Sequence, residues 1–252
     1  MLKIFKKMIS GSAAEVSRIS SQASPKPTPT RRSKRAVQLP KTLDLIRWLI
    51  VDIYRFFKNG RQAHLFGIWC YVGIYGGGKT MSLVHYLERM RERWGERIYI
   101  CTNFFYKGED FSLENWRDIL KDYDRPVIFA YDELQNEFNS RDYRNFPIPL
   151  MGELTQNRKG FGKQIVYTTQ NFDTVDKNFR NLTTQVAACR TYFGRLTRCK
   201  YYKREYYENL VSTISIERKF RIKPLRVDSF VQSDYLRSQY DSYARLKSVR
   251  QL

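Results

Sequence analysis

Residues 73–80 read "GIYGGGKT", and no other stretch limits the fold so tightly. Glycines reach left-handed backbone angles that residues with a Cβ avoid, so three in a row let the chain turn back with its N–H groups facing inward. An apolar run, "FGIWCYV" (66–72), leads into the bend, and Met81, Val84, Leu87, Met90 and Trp94 follow on one helical face. Strand, tight turn and amphipathic helix in that order suit a layered α/β domain. The octet fits G-x-x-x-x-G-K-[ST] at every fixed position. In that pattern backbone amides cradle phosphates, the lysine reaches the β- and γ-phosphates, and the hydroxyl faces Mg2+. The helix N-terminus adds its positive dipole. The expected nucleotide contacts are therefore Gly73, Tyr75, Gly76, Gly77, Gly78, Lys79, Thr80 and Met81, with ATP and Mg2+ as cofactors. A glycine-rich turn without a ligand is the plain alternative.

A second apolar run, "PVIFAY" (126–131), ends in Asp132 and Glu133. Two carboxylates at the end of a buried strand suit hydrolysis. Asp132, with Thr80, is expected to hold the metal, and Glu133 to take a proton from the attacking water. A solvated strand end is the alternative. The run "QIVYTTQ" ends in Gln170, whose amide has the reach of both a γ-phosphate and a water. For the positive charge that the transition state requires, Arg158 and Arg180 are the candidates, acting in their own chain or on a neighbouring copy. A surface arginine or a phosphate contact on DNA is an equal alternative for each.

Charge is uneven along the chain. The net charge is +20 over 252 residues; residues 1–40 hold nine Lys/Arg against one Glu, and residues 186–252 hold fifteen against six acids. Positive ends around a balanced middle attract a polyanion, either nucleic acid or an acidic membrane surface, with solubility as the bland reading. Four separate cysteines and two histidines lack zinc-ligand spacing, so reduced thiols in a cytosolic compartment are expected. No run is long enough to span a bilayer.

The chain divides by composition into a disordered basic arm (1–40), an amphipathic docking helix (41–60), a nucleotide-binding domain (61–195) and a basic, aromatic extension (196–252). In the helix, Asp44, Arg47, Asp52 and Arg55 share one arc and the rest of 44–57 is apolar. Docking on the following domain and anchoring at a membrane or partner are both open. Strands are expected at 66–72, 97–102, 126–131, 164–169 and 185–193, and helices after the bend, at 150–158 and at 175–182. Apolar strands alternating with helices predict a mainly parallel sheet covered on both faces. A hairpin and an irregular tail complete the chain. There Arg198, Lys200, Lys203 and Arg204 interleave with Tyr192, Tyr201, Tyr202, Tyr206 and Tyr207. This pattern reads either as DNA binding with base stacking or as tyrosines packing a sheet edge while the charges face water.

The order of loop, Thr102–Asn103, Asp132–Glu133, "NRKGFG" (157–162), "TTQ" (168–170) and Asp176–Arg180 resembles the FtsK–HerA superfamily of DNA-pumping ATPases. Within it, residues 66–195 look most like the Zot-type (zonular occludens toxin N-terminal domain) ATPases of phages. The resemblance implies a RecA-like P-loop NTPase that forms rings and couples ATP hydrolysis to moving DNA for genome packaging or virion assembly. Zot-type proteins of filamentous phages usually carry a transmembrane segment after the ATPase domain; this chain shows none, and its basic arm is unusual. Both departures favour a cytosolic motor that packages DNA into a shell over one fixed in the inner membrane. The expected location is the bacterial cytoplasm, with association at the virion or peripherally at the inner membrane, and capsid or membrane-bound assembly proteins are the expected partners. Phage extrusion or export through a membrane partner, and a small-molecule kinase, are the alternative functions.

Overall fold

The computed structural model describes residues 40–59, 63–141, 146–213 and 222–240. The arm expected at 1–40 falls almost wholly outside them. Two compact units, residues 1–60 and 61–252, are described separately. In the first, α1 (Lys41–Asn59) includes the whole amphipathic stretch 44–57. Ten of its large apolar side chains, from Leu43 to Phe57, are 49–79% exposed.

The second unit carries an eight-stranded sheet: β1 (Gly67–Val72), β2 (Tyr99–Thr102), β3 (Phe111–Ser112), β4 (Val127–Tyr131), β5 (Lys163–Thr169), β6 (Thr183–Tyr192), β7 (Leu196–Lys203) and β8 (Arg226–Val231). Their order across the sheet is β3-β2-β4-β5-β1-β6-β7-β8, parallel from β3 to β6 and antiparallel from there on. This is the expected RecA-like P-loop NTPase architecture, with β5 inserted between the loop strand β1 and the acid strand β4. The helices are α2 (Lys79–Trp94), α3 (Ile148–Gln156), α4 (Lys177–Leu182), α5 (Arg204–Ser212) and α6 (Asp234–Ser238).

Alternate strand residues feed two cores, one on each face. Tyr71, Ile100, Ile128, Ala130 and Val166 join Leu83, Val84 and Leu87 of α2. Ile68, Cys70, Phe129, Tyr131, Ile165 and Tyr167 join Leu150 and Leu154 of α3 and Phe179 of α4. The period of two places successive side chains on opposite faces, so a strand covered on both sides must be apolar throughout. Each fully buried Leu or Ile contributes about 1.5–3 kcal/mol.

Every expected strand forms. The third helix starts later than expected: residues 172–174 make a 3-10 turn, and Asp176 accepts a hydrogen bond from the Asn178 N–H (2.7 Å), capping α4 at Lys177. The tail beyond the hairpin is more ordered than its composition indicates. It supplies β8, which completes the sheet, and two short helices. All four cysteines are buried free thiols.

Candidate functional site

The parallel strands end along one edge of the sheet, and the glycine loop rises there from β1. Gly78 has φ +83°, and a Cβ on it would lie 2.5 Å from the Thr191 Oγ1 of β6, so both conformation and space demand glycine. At Gly73 space alone demands glycine, since a Cβ there would lie 2.7 Å from the Cys189 carbonyl oxygen. Ile74 and Tyr75 stand 78% and 81% exposed, leaving the cradle open. Lys79, the first residue of α2, is only 7% exposed; its Nζ lies 3.7 Å from Glu133 Oε1 and 3.5 Å from the Ile74 carbonyl.

The two motifs, far apart in the chain, meet through hydroxyls. Thr80 Oγ1 donates to Asp132 Oδ1 at 2.8 Å, and Thr168 Oγ1 donates to the same oxygen at 2.7 Å. Thr168 also accepts the Glu133 N–H at 2.9 Å. Asn103, just past β2, pins the Asp132 backbone from the other side: its Oδ1 accepts the Asp132 N–H (2.7 Å) and its Nδ2 donates to the Asp132 carbonyl (3.3 Å). Burial raises the Asp132 carboxyl above its ordinary value, while the Thr168 and Thr80 hydroxyls oppose the shift.

Glu133 adopts φ 55°, ψ 57°, a left-handed conformation that costs a non-glycine residue roughly 1–2 kcal/mol. Its carboxylate is surrounded by amide donors. Gln170 Nε2 donates to Oε2 at 3.3 Å, Gln135 Nε2 donates to the same oxygen, and Lys79 faces Oε1. Such strain is maintained where the neighbours over-determine the geometry. Thr80, Lys79, Asp132, Glu133 and Gln170 thus stand together. Asn103, Thr168 and Gln135 complete the group, although sequence reasoning assigned them no role. Thr168 and Asn103 were legible only as parts of "TTQ" and Thr102–Asn103, and nothing local marks Gln135.

The arginines separate. Arg180 lies near Gln170, on a cleft of about 310 Å³ that also includes Asp173 and Tyr207. Its Nη1 is 3.0 Å from Asp173 Oδ1 and its Nε donates to the Val175 carbonyl at 3.1 Å. Arg158 sits over the Phe66 ring, 5.6 Å from its centroid. Phe66 precedes β1, and β1 and β5 run in parallel from Gly67↔Gln164 to Val72↔Thr169. Arg158 therefore occupies the edge opposite the loop, about 20 Å away at strand rise. Within one chain it does not reach the phosphate cradle.

On β7, Arg198, Lys200 and Lys203 are exposed, while Thr197, Cys199 and Tyr201 are buried. Arg198 pairs in register with Arg190 of β6. Arg204 is half-buried and bonds Glu208 at 2.9 and 3.1 Å. Two of the tyrosines correct the base-stacking expectation, whereas Tyr192 and Tyr206 stay exposed. Tyr201 and Tyr202 are 5% and 4% exposed, the first sharing a hydroxyl hydrogen bond with Tyr71 (3.3 Å) and the second packing on Tyr207 (6.3 Å between centroids). Strand alternation turns Tyr201 inward, and α5 covers Tyr202.

Two oxygen donors side by side, the Thr80 hydroxyl and the Asp132 carboxylate, fit Mg2+, which takes one or two protein ligands and fills its shell with water and phosphate oxygens. Among the described residues no cluster of three His, Cys, Asp or Glu could hold a metal, and none of the helices is long and apolar enough to cross a membrane.

No protein-family model and no curated protein matches the chain. Solved structures do. The N-terminal domain of zonular occludens toxin from Neisseria meningitidis is 16% identical over 70% of this chain and 100% of that one, with a TM-score of 0.47. The genome packaging NTPase B204 from Sulfolobus turreted icosahedral virus 2, in complex with ATP-gammaS, is 16% identical over 69% and 94%, with a TM-score of 0.43. The DNA-packaging ATPase B204 from Sulfolobus turreted icosahedral virus is 15% identical over 70% and 96%, with a TM-score of 0.40. Each is a likeness only, and the functional reading rests on the site geometry.

Proposed function

We propose that this chain is an ATP hydrolase of the Zot-like, FtsK–HerA type that drives DNA movement in phage genome packaging or virion assembly. One observation carries the reading: a single hydrogen-bonded chain, Thr80–Asp132–Thr168–Glu133–Gln170, joins the phosphate loop to a strained carboxylate.

The loop amides and Lys79 bind the β- and γ-phosphates; Lys79 exchanges its contact with Glu133 for one with phosphate. Thr80 and Asp132 are the residues that would hold Mg2+, which supplies charge neutralisation on the phosphate oxygens. Glu133 accepts a proton from water as the water oxygen bonds to the γ-phosphorus and the bond to the β-phosphate oxygen breaks. Gln170 orients that water. Arg180 is the candidate cation within the chain. Arg158 serves only on a neighbouring copy, the arrangement a ring provides. The exposed Arg198 and Lys200, with Lys203, contact DNA phosphates on this reading.

Phosphate release should rise on adding DNA and vanish in Lys79→Ala; hydrolysis indifferent to single- and double-stranded DNA alike would refute the translocase. ADP formed only on adding a small-molecule acceptor, with the phosphoryl group on that acceptor and no free phosphate released, would favour a kinase. The exposure of apolar side chains along α1 supports a second reading, export or extrusion with α1 on an acidic membrane surface. Co-sedimentation with anionic vesicles, lost in Ile53→Glu, separates that reading from packaging.

A further inference from the structure

Among the described residues, three that are not glycine have positive φ: Phe105, Glu133 and Phe193. Phe193 forms the tip of the β6–β7 hairpin, where it and Gly194 take φ 50° and 69° in succession. A turn with two left-handed central residues favours Asn-Gly or Asp-Gly, because a larger side chain there is strained. Phe193 is also 97% exposed. The tip thus bears both a conformational cost and a hydrophobic cost, and no internal contact repays either.

The tip is rigidly braced. The Arg195 N–H donates to the Tyr192 carbonyl (3.1 Å), and the Gln232 N–H to the Arg195 carbonyl (2.8 Å). The Arg195 guanidinium holds the Gln232 carbonyl (2.9 Å) and Asp234 (2.8 Å), and Arg237 donates to the Gly194 carbonyl. A strained aromatic fixed in solvent fits a residue preorganised for a ligand outside its own fold.

Its position indicates which ligand. β6 pairs with β1 as far as Val72↔Ala188 and then runs four residues further to Tyr192. On the way it walls the loop, with the Cys189 carbonyl against Gly73 and Gly77 and the Thr191 hydroxyl against Gly78. Phe193 lies two residues beyond Thr191, about 7 Å along the strand. The acid pair that marks the γ-phosphate end is on the other flank of the loop, across β5 on β4. A triphosphate whose γ end faces Glu133 directs its nucleoside toward β6 and the hairpin.

Resting on the proposed nucleotide site, we propose that Phe193 is the base-contacting residue, stacking on the purine of the bound nucleoside triphosphate. The test uses the full chain with Mg2+, measuring the affinities of ATP and inorganic triphosphate and the steady-state kinetics of hydrolysis. Phe193→Asn suits the turn better than phenylalanine does, so it removes the ring without unfolding the hairpin. It should weaken ATP about tenfold, the scale of one aromatic–base stack, and raise KM without lowering kcat. Triphosphate affinity should be unchanged, and Phe193→Tyr should restore ATP binding. Equal ATP affinity in wild type and Phe193→Asn overturns the inference alone, as does an equal loss for ATP and triphosphate. A variant that binds ATP normally but DNA weakly also overturns it and reassigns the tip to the polynucleotide. A wild-type chain that binds neither ATP nor triphosphate overturns the site itself.

Discussion

Strands β4, β5 and β1 are buried on both faces, whereas β7 buries one face and presents the other to solvent, and the edge strand β8 is only half-buried at Asp228 and Phe230. In the parallel half, polar chemistry is confined to the strand ends, where hydroxyls, amides and carboxylates satisfy one another. In the antiparallel wing, charge lies along the strand surface. Arg190 stands directly opposite Arg198, an arrangement that destabilises a sheet unless something negative covers it. A fully covered strand permits function only where it ends, while a half-covered strand offers its whole length. On the proposed function, catalysis and polymer contact fall in different halves of one sheet.

The division can be broken most severely at Glu133. Glu133→Gln should slow phosphate release by about 10²–10⁴-fold, the usual value of a positioned general base, with ATP still bound. Turnover at the wild-type rate would remove hydrolysis from this edge. Asn103→Ala deletes both bonds to the Asp132 backbone in a partly buried site. Urea denaturation should show a loss of about 1–3 kcal/mol, with slower hydrolysis.

Asp132→Asn sharpens the comparison through pH. Because burial raises the folded pKa, the unfolded chain ionises this group first, so the charge reduces stability as pH rises through and above the ordinary carboxylate range. In chelator, without nucleotide, the variant should melt with the wild type at low pH and above it at neutral pH. Coincident melting at every pH would show the carboxylate to be fully compensated. The smallest effect belongs to the wing. Arg198→Ser should lower the slope of log affinity for DNA against log salt by about one and leave DNA-free hydrolysis unchanged. An unchanged slope would exclude this face from DNA.

Local pattern was sufficient for the elements that carry their own signal. The glycine octet can only be a tight turn, the apolar runs can only be buried strands, and Met81 to Trp94 repeat at helical spacing, because each is governed by interactions within a few residues. Relations across the sheet were not legible. Arg158 and Arg180 look alike in the chain, yet one lies at the far edge and the other near Gln170, because the direction of β5 separates them. Tyr201 and Tyr202 alternate with basic residues as base-stacking side chains would, yet partners at Tyr71 and Tyr207 bury them.

The sequence by itself determined that a phosphate-shaped turn precedes a helix and that an acid pair ends a buried strand, since backbone freedom and side-chain period are local properties. Only the tertiary structure decided that Thr168 and Asn103 hold the acid pair, that Glu133 is strained toward Lys79, and that Phe193 stands beside the loop. Those facts depend on strand order and register, which arise from packing between segments far apart in the chain.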